Sequence, residues 1–168
     1  GEDEVLVMST GVIGTQLPMD KIAQGIDLAS QSLGTDWQAA AQGIMTTDTR
    51  PKLASVEVTT PSGQKYHIAG IAKGAGMIAP NMATMLSAVV TDVTFPVDTA
   101  KGLLQSAASQ SFNRIVVDGD MSTNDTLLLL ANGESGISLQ TPDELTIFHD
   151  ALTTVCRKLA QDIVRDGE

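Results

Sequence analysis

The sequence holds a single cysteine, Cys156, among 168 residues, so no disulfide can close within it and a reducing, intracellular setting fits. It lacks any apolar run approaching the roughly 20 residues of a membrane-crossing helix. Basic side chains are scarce. Ten Lys and Arg stand against 20 Asp and Glu, and the net charge of −10 has the wrong sign for gripping a nucleic-acid backbone or an anionic membrane. No GxGxxG and no P-loop occurs, which leaves a nucleotide cofactor unsupported. The only tryptophan, Trp37, is expected to pack and not to serve as a ligand platform. The first residues, GEDEV, are neither a signal nor a transit peptide. With 42% apolar and 18% charged residues the composition is globular, and the length suits one domain with a sizeable core.

Along the chain, Val5–Met8 reads as a short buried strand. Apolar residues at Ile22, Ile26, Leu28 and Leu33 predict an amphipathic helix over 18–33. Thr35 to Gln38 has capping-box spacing and opens a second helix through Ile44. Leu53–Thr59 alternates, PSGQ turns the chain, and Tyr66–Ala72 alternates back, the pattern of a β-hairpin. A strand follows Thr84, a helix starts at Pro96–Thr99 and runs through Phe112, and Val116 lies in a further strand. Thr126–Ala131 reads as another buried strand. Thr141, Pro142 and Glu144 supply a cap, a first-turn proline and a capping-box partner for a long helix to about Val164, with an apolar stripe of Leu145, Phe148, Leu152, Val155, Leu159 and Ile163. Cys156 borders that stripe as a core thiol, and His67 and His149 read as structural. Strands and helices mix without regular βαβ alternation, which favours a mixed α/β (α+β) sandwich over a doubly wound parallel sheet.

Several segments carry chemistry as readily as structure. KGAGMIAPNMATMLSAVVTD, Lys73 to Asp92, is a Gly- and Met-rich loop running into a strand. Thr84 sits at the boundary, where it serves either as an ordinary β-branched strand residue or as a hydroxyl facing a cleft from an anchored backbone. STGVIG, residues 9–14, is either a strand-to-turn junction or a set of donors aimed at an oxyanion. Thr46, Thr47 and Thr49 around Asp48 serve capping and turn chemistry or contact a ligand. Lys73, at the end of the hairpin, is a solvated charge or a partner for a carboxylate. Three aspartates between Asp118 and Asp125 invite a calcium loop, but Thr123 stands where glycine is needed and Leu129 where the bidentate carboxylate should be. The metal reading fails. An Asp/Ser/Asn-rich loop remains, which beside an active site can orient substrate.

KGAGMIAPNMATML resembles the self-cleavage segment of the ornithine acetyltransferase family, the bifunctional glutamate N-acetyltransferases of arginine biosynthesis. The resemblance implies a cut between Ala83 and Thr84, after which Thr84 is the nucleophile and its new α-amine the base. An α-amine titrates near ~8, close to working pH, and a threonine hydroxyl needs such a base. The small Ala83 leaves its carbonyl open to attack, Gly74 and Gly76 permit unusual backbone geometry, and Pro80 stiffens the loop. The same resemblance makes Thr10 and Gly11 the oxyanion hole, through a hydroxyl and a backbone N–H. It gives substrate binding to Thr47, with Thr46 not excluded, to Lys73 and to Glu168. It implies helices layered on stacked sheets, with the logic of N-terminal-nucleophile hydrolases. VVDGDMSTND, residues 116–125, is shared with the family without a role for its individual residues.

Family members carry a segment before Val5 and a half-domain after Glu168, so the expected unit is a single catalytic-core portion, 1–83 ending one chain and 84–168 starting the other. The implied reaction moves the acetyl group of N-acetylornithine to glutamate through an acetyl-threonine, with no metal or bound cofactor and with acetyl-CoA open as a further acyl donor. The implied partners are the small-molecule substrates, the other chain of the cleaved heterodimer, the flanking segments and a higher oligomer, in a bacterial cytoplasm or a mitochondrial matrix. Two rivals differ in outcome: an amidohydrolase or aminopeptidase in which water resolves the acyl-enzyme, and a fragment unable to turn over by itself.

Overall fold

Alternating side chains and a glycine turn build the first hairpin. The computed structural model describes residues 5–79 and 85–167. Strand β1 (Lys52–Thr59) pairs antiparallel with β2 (Lys65–Lys73), from Lys52↔Ala72 to Thr59↔Lys65. Gly63 turns between them at φ 85°, a left-handed conformation that glycine adopts without a Cβ clash. Strand β3 (Leu86–Thr91) adds antiparallel to β2, and β4 (Thr126–Ala131) adds parallel to β3. The sheet order is β1-β2-β3-β4. A parallel neighbour needs a crossover, and here it carries the helix Val97–Ser109 and a 3₁₀ turn, Phe112–Arg114.

The core lies between the sheet and the last helix. Numbered in chain order, the helices are α1 (Met19–Ser30), α2 (Trp37–Gly43), α3 (Val97–Ser109) and α4 (Pro142–Arg165). The α4 capping box forms as predicted: the Glu144 N–H donates to Thr141 Oγ1 at 3.3 Å, and the Thr141 N–H donates to Glu144 Oε2 at 3.0 Å. Phe148, Leu152, Val155, Leu159 and Ile163 are buried, with Leu145 half-buried. Each such side chain stabilises by about 1.5–3 kcal/mol when fully buried. Gly70 in β2 lets α4 settle onto the sheet, since a methyl group there would lie 3.1 Å from both Leu159 Cδ1 and Val89 Cγ2. Phe148 stacks on Tyr66 and meets Phe95 edge-on, with ring centroids 6.2 and 4.9 Å away.

The mixed α+β class holds, with helices layered on the one sheet that the described residues form. Four local expectations need correction. Val5–Met8 is not a strand: it pairs with nothing in the sheet, and Val5, Leu6 and Val7 are exposed. Val116 is likewise outside any strand and exposed, because the chain there runs into the Asp118 loop. β4 is half-buried, as befits an edge of the sheet. The α2 cap is Asp36 and not Thr35, its carboxylate accepting from the Ala39 N–H at 3.0 Å. Trp37 does lie beside Leu53, Ser55 and Ala69 but stays 41% exposed. No helix among the described residues is long and apolar enough to cross a membrane.

Candidate functional site

Strand register gathers one row of residues at one end of the sheet. Lys52 opposes Ala72, Lys73 opposes Leu86, and Leu86 opposes Thr126. The start of β1, the end of β2 and the starts of β3 and β4 therefore share that end, and the loops attached to them meet there. The carboxyl terminus of α4 arrives at the same place through Asp166, 7% exposed.

Buried charge fixes these loops. The Lys52 ammonium, fully buried, donates to Asp48 Oδ1 at 2.6 Å and to Asp166 Oδ2 at 2.5 Å. Asp48 also accepts the Gly74 N–H at 2.6 Å and the Thr46 N–H at 3.1 Å, which ties the 46–49 turn to the end of β2. Asp166 accepts the Thr49 N–H at 3.1 Å and the Thr49 hydroxyl. Burial alone would raise the pKa of both carboxylates, but these donors overcome it. Asp48 is held below its ordinary value by Gly74, Lys52 and Thr46, and Asp166 is brought down to about 2 by Lys52 and Thr49.

Beside this network Lys73 is 3% exposed, its Nζ 4.0 Å from Asp48 Oδ2. Burial pulls its pKa below the usual lysine value, the charges of Asp48 and Asp125 resist, and Lys52 adds to the fall. Lys73 lines an open cleft of about 430 Å³, together with Thr10, Gly11, Thr46 and Thr47. Five residues singled out in the sequence thus converge from three separate segments. Met77, Asp118 and Asp120 line the same cleft. Ala83, Thr84 and Glu168 lie outside the described residues; Ala79 and Met85, the described residues that bound 80–84, are both buried.

Sequence reasoning passed over Asp48, Lys52 and Asp166, although the four-residue spacing of Asp48 and Lys52 was visible. It also left the acidic loop without roles. Asp118 accepts the N–H groups of Met77 and Ile78, and Asp125 Oδ1 accepts that of Met85 at 2.9 Å. The Met77 bond, followed by Ile78 and Asp120, lowers the Asp118 pKa, while burial raises that of Asp125. No cluster of His, Cys, Asp and Glu that could hold a metal occurs among the described residues. His67 is exposed beside Asp92, and His149 bonds Ser106 Oγ at 2.9 Å, away from the cleft. A second cleft of about 500 Å³, beside Trp37, His67 and Asn132, gathers none of the residues singled out above as catalytic or substrate-binding.

Comparison with known proteins gives the family of the chain. The ArgJ family model matches residues 1–168. The mitochondrial arginine biosynthesis bifunctional protein ArgJ of Uncinocarpus reesii is 49% identical over 100% of this chain and 38% of its own length. That of Schizosaccharomyces pombe is 50% identical over 97% of the chain and 38% of its own length. The crystal structure of the Bacillus halodurans ArgJ protein aligns with 48% of this chain and 39% of that one, with TM-score 0.45 and 39% identity. The chain spans under two fifths of the length of these relatives, and over its whole extent it belongs to the ArgJ family.

Proposed function

We propose that the full protein cuts itself between Ala83 and Thr84 and then, with Thr84 as nucleophile, moves the acetyl group of N-acetylornithine to glutamate. The observation that carries this reading is the convergence of Thr10, Gly11, Thr46, Thr47 and Lys73 on one cleft that Gly76 and Met77, from the loop leading to 80–84, also line. The Thr84 hydroxyl attacks the acetyl carbonyl, its free α-amine takes the proton, and ornithine leaves carrying that proton on its own amine. Glutamate then attacks the acetyl-threonine through its amine and restores the hydroxyl. Thr10 and Gly11 donate to the oxyanion formed in each half, and each such donor lowers the barrier by roughly 3 kcal/mol. Lys73 pairs with the substrate carboxylate, and Thr47, with Thr46 beside it, orients the amino acid. Glu168 completes the substrate site.

The relatives named mitochondrial support the same compartment for the full protein. Its working form is the two chains released by the cut, with acetyl-CoA as a further donor to be tested. Denaturing intact mass of the full-length protein tests the first step, with one break expected before Thr84 and none in Thr84→Ala. Steady-state lines for N-acetylornithine and glutamate test the second. Parallel lines are expected from an acetyl-enzyme, and intersecting lines would exclude it.

A further inference from the structure

Two carboxylates from one loop hold the backbone on both sides of residues 80–84. Upstream, Asp118 accepts the N–H of Met77 and, at 2.9 Å, that of Ile78, while the Val117 N–H donates to the Ile78 carbonyl at 2.8 Å. Downstream, Asp125 accepts the Met85 N–H at 2.9 Å, while the Thr126 N–H donates to the Met85 carbonyl at 3.1 Å. Each anchor is reciprocal: one residue of the flanking backbone gives its N–H to an aspartate and its carbonyl to a neighbour of that aspartate. Hydrogen bonds to a carboxylate are roughly twice as strong as neutral ones. Met77 is held at φ 57°, a left-handed conformation that is strained for a residue with a Cβ. Asp125 keeps its other oxygen buried and without a hydrogen-bond partner among the described residues.

We propose that Asp118 and Asp125 are positioning residues for self-cleavage, fixing the chain on either side of the Ala83–Thr84 bond. The inference rests on the reading of Thr84 as a nucleophile released by the protein itself. In that step the Thr84 hydroxyl adds to the Ala83 carbonyl carbon, the C–N bond breaks, and the nitrogen takes the hydroxyl proton. Water then hydrolyses the resulting ester to the Ala83 carboxylate and the free hydroxyl. Neither aspartate exchanges a proton. Their contribution is orientation: two anchored ends leave a short span to bring hydroxyl and carbonyl within attacking distance, and a misplacement of about 1 Å can cost a hundredfold in rate.

The test follows the uncut full-length protein by denaturing intact mass after cell-free synthesis, for wild type, Thr84→Ala, and the Ala and Asn variants of Asp118 and Asp125. Thermal unfolding of the same aspartate variants is measured in the uncut Thr84→Ala background. Asparagine keeps one acceptor at each position, so the expected order is wild type, then Asn, then Ala, the Ala variants slowed roughly tenfold to a hundredfold while every uncut protein stays folded at the temperature of the reaction. Cleavage at the wild-type rate in either Ala variant overturns the two-sided anchor and leaves the Thr84 reading intact. Asn variants as slow as Ala, with lowered unfolding temperatures, overturn positioning in favour of a role in the fold. An uncut wild type overturns the Thr84 reading and this inference with it.

Discussion

Lys52 and Asp166 stand 114 positions apart in the chain, and their charged groups meet at 2.5 Å in the interior. Asp48 takes a second hydrogen of the same ammonium, so one cation joins the 46–49 turn, the first residue of β1 and the end of α4. The site is built on that junction, since Asp48 also holds Gly74, the residue after Lys73.

Lys52→Met tests the junction. Methionine fills a similar volume but leaves two buried carboxylates without their counter-charge. Removing one partner of a buried ion pair costs roughly 3–5 kcal/mol. The urea midpoint should fall accordingly, and a loss under about 1 kcal/mol would mean that the carboxylates find other partners.

Acid should loosen the same junction. The Asp166 pKa is lowered from 3.8 to about 2, because the Lys52 and Thr49 bonds outweigh burial. A group depressed in the folded state contributes stability above its unfolded pKa and loses it as pH falls through the folded value. Stability should therefore decline between about pH 4 and pH 2. Asp166→Asn removes that titration, so its unfolding midpoint should lie lower at neutral pH and fall less steeply over this window. An identical slope in the two proteins would assign the acid sensitivity to other carboxylates.

What the sequence made legible was local. The hairpin followed from alternation around Gly63, and α4 from Thr141, Pro142, Glu144 and a stripe of apolar residues at helical spacing. These signals sit within a few residues of what they specify. Lys52 met its second partner only across the whole fold, and no spacing announces a contact at that range. Val5–Met8 failed for the opposite reason: four apolar residues satisfy a strand pattern, but nothing in the sheet pairs with them. The acidic loop was read as unsuited to calcium. Its use was invisible, because the donors it holds are backbone N–H groups, which carry no side-chain signature.

Cys156 should behave as core. It is fully buried on α4, and burial pushes its thiol up to about 12, leaving little thiolate at neutral pH. A maleimide probe should fail to label the native protein and should react fully once urea unfolds it. Rapid labelling without denaturant would show that α4 leaves the sheet far more often than its buried stripe implies.

Lys73 gives the sharpest functional prediction. Burial lowers its pKa below the ordinary lysine value of 10.5, while Asp48 and Asp125 oppose the fall. The ammonium is lost as pH rises through the lowered value. If it pairs with the substrate carboxylate, KM should climb on the alkaline side earlier than an ordinary lysine would allow, with kcat changing less. Lys73→Arg keeps a charge that does not titrate in this range, so its KM should lack that alkaline rise even if the larger guanidinium weakens binding throughout. Lys73→Met removes a charge-assisted bond of roughly 1.5–3 kcal/mol, which places KM about tenfold or more above wild type at neutral pH. A KM in Lys73→Met equal to wild type, or an alkaline rise that persists in Lys73→Arg, would move the carboxylate partner elsewhere in the cleft.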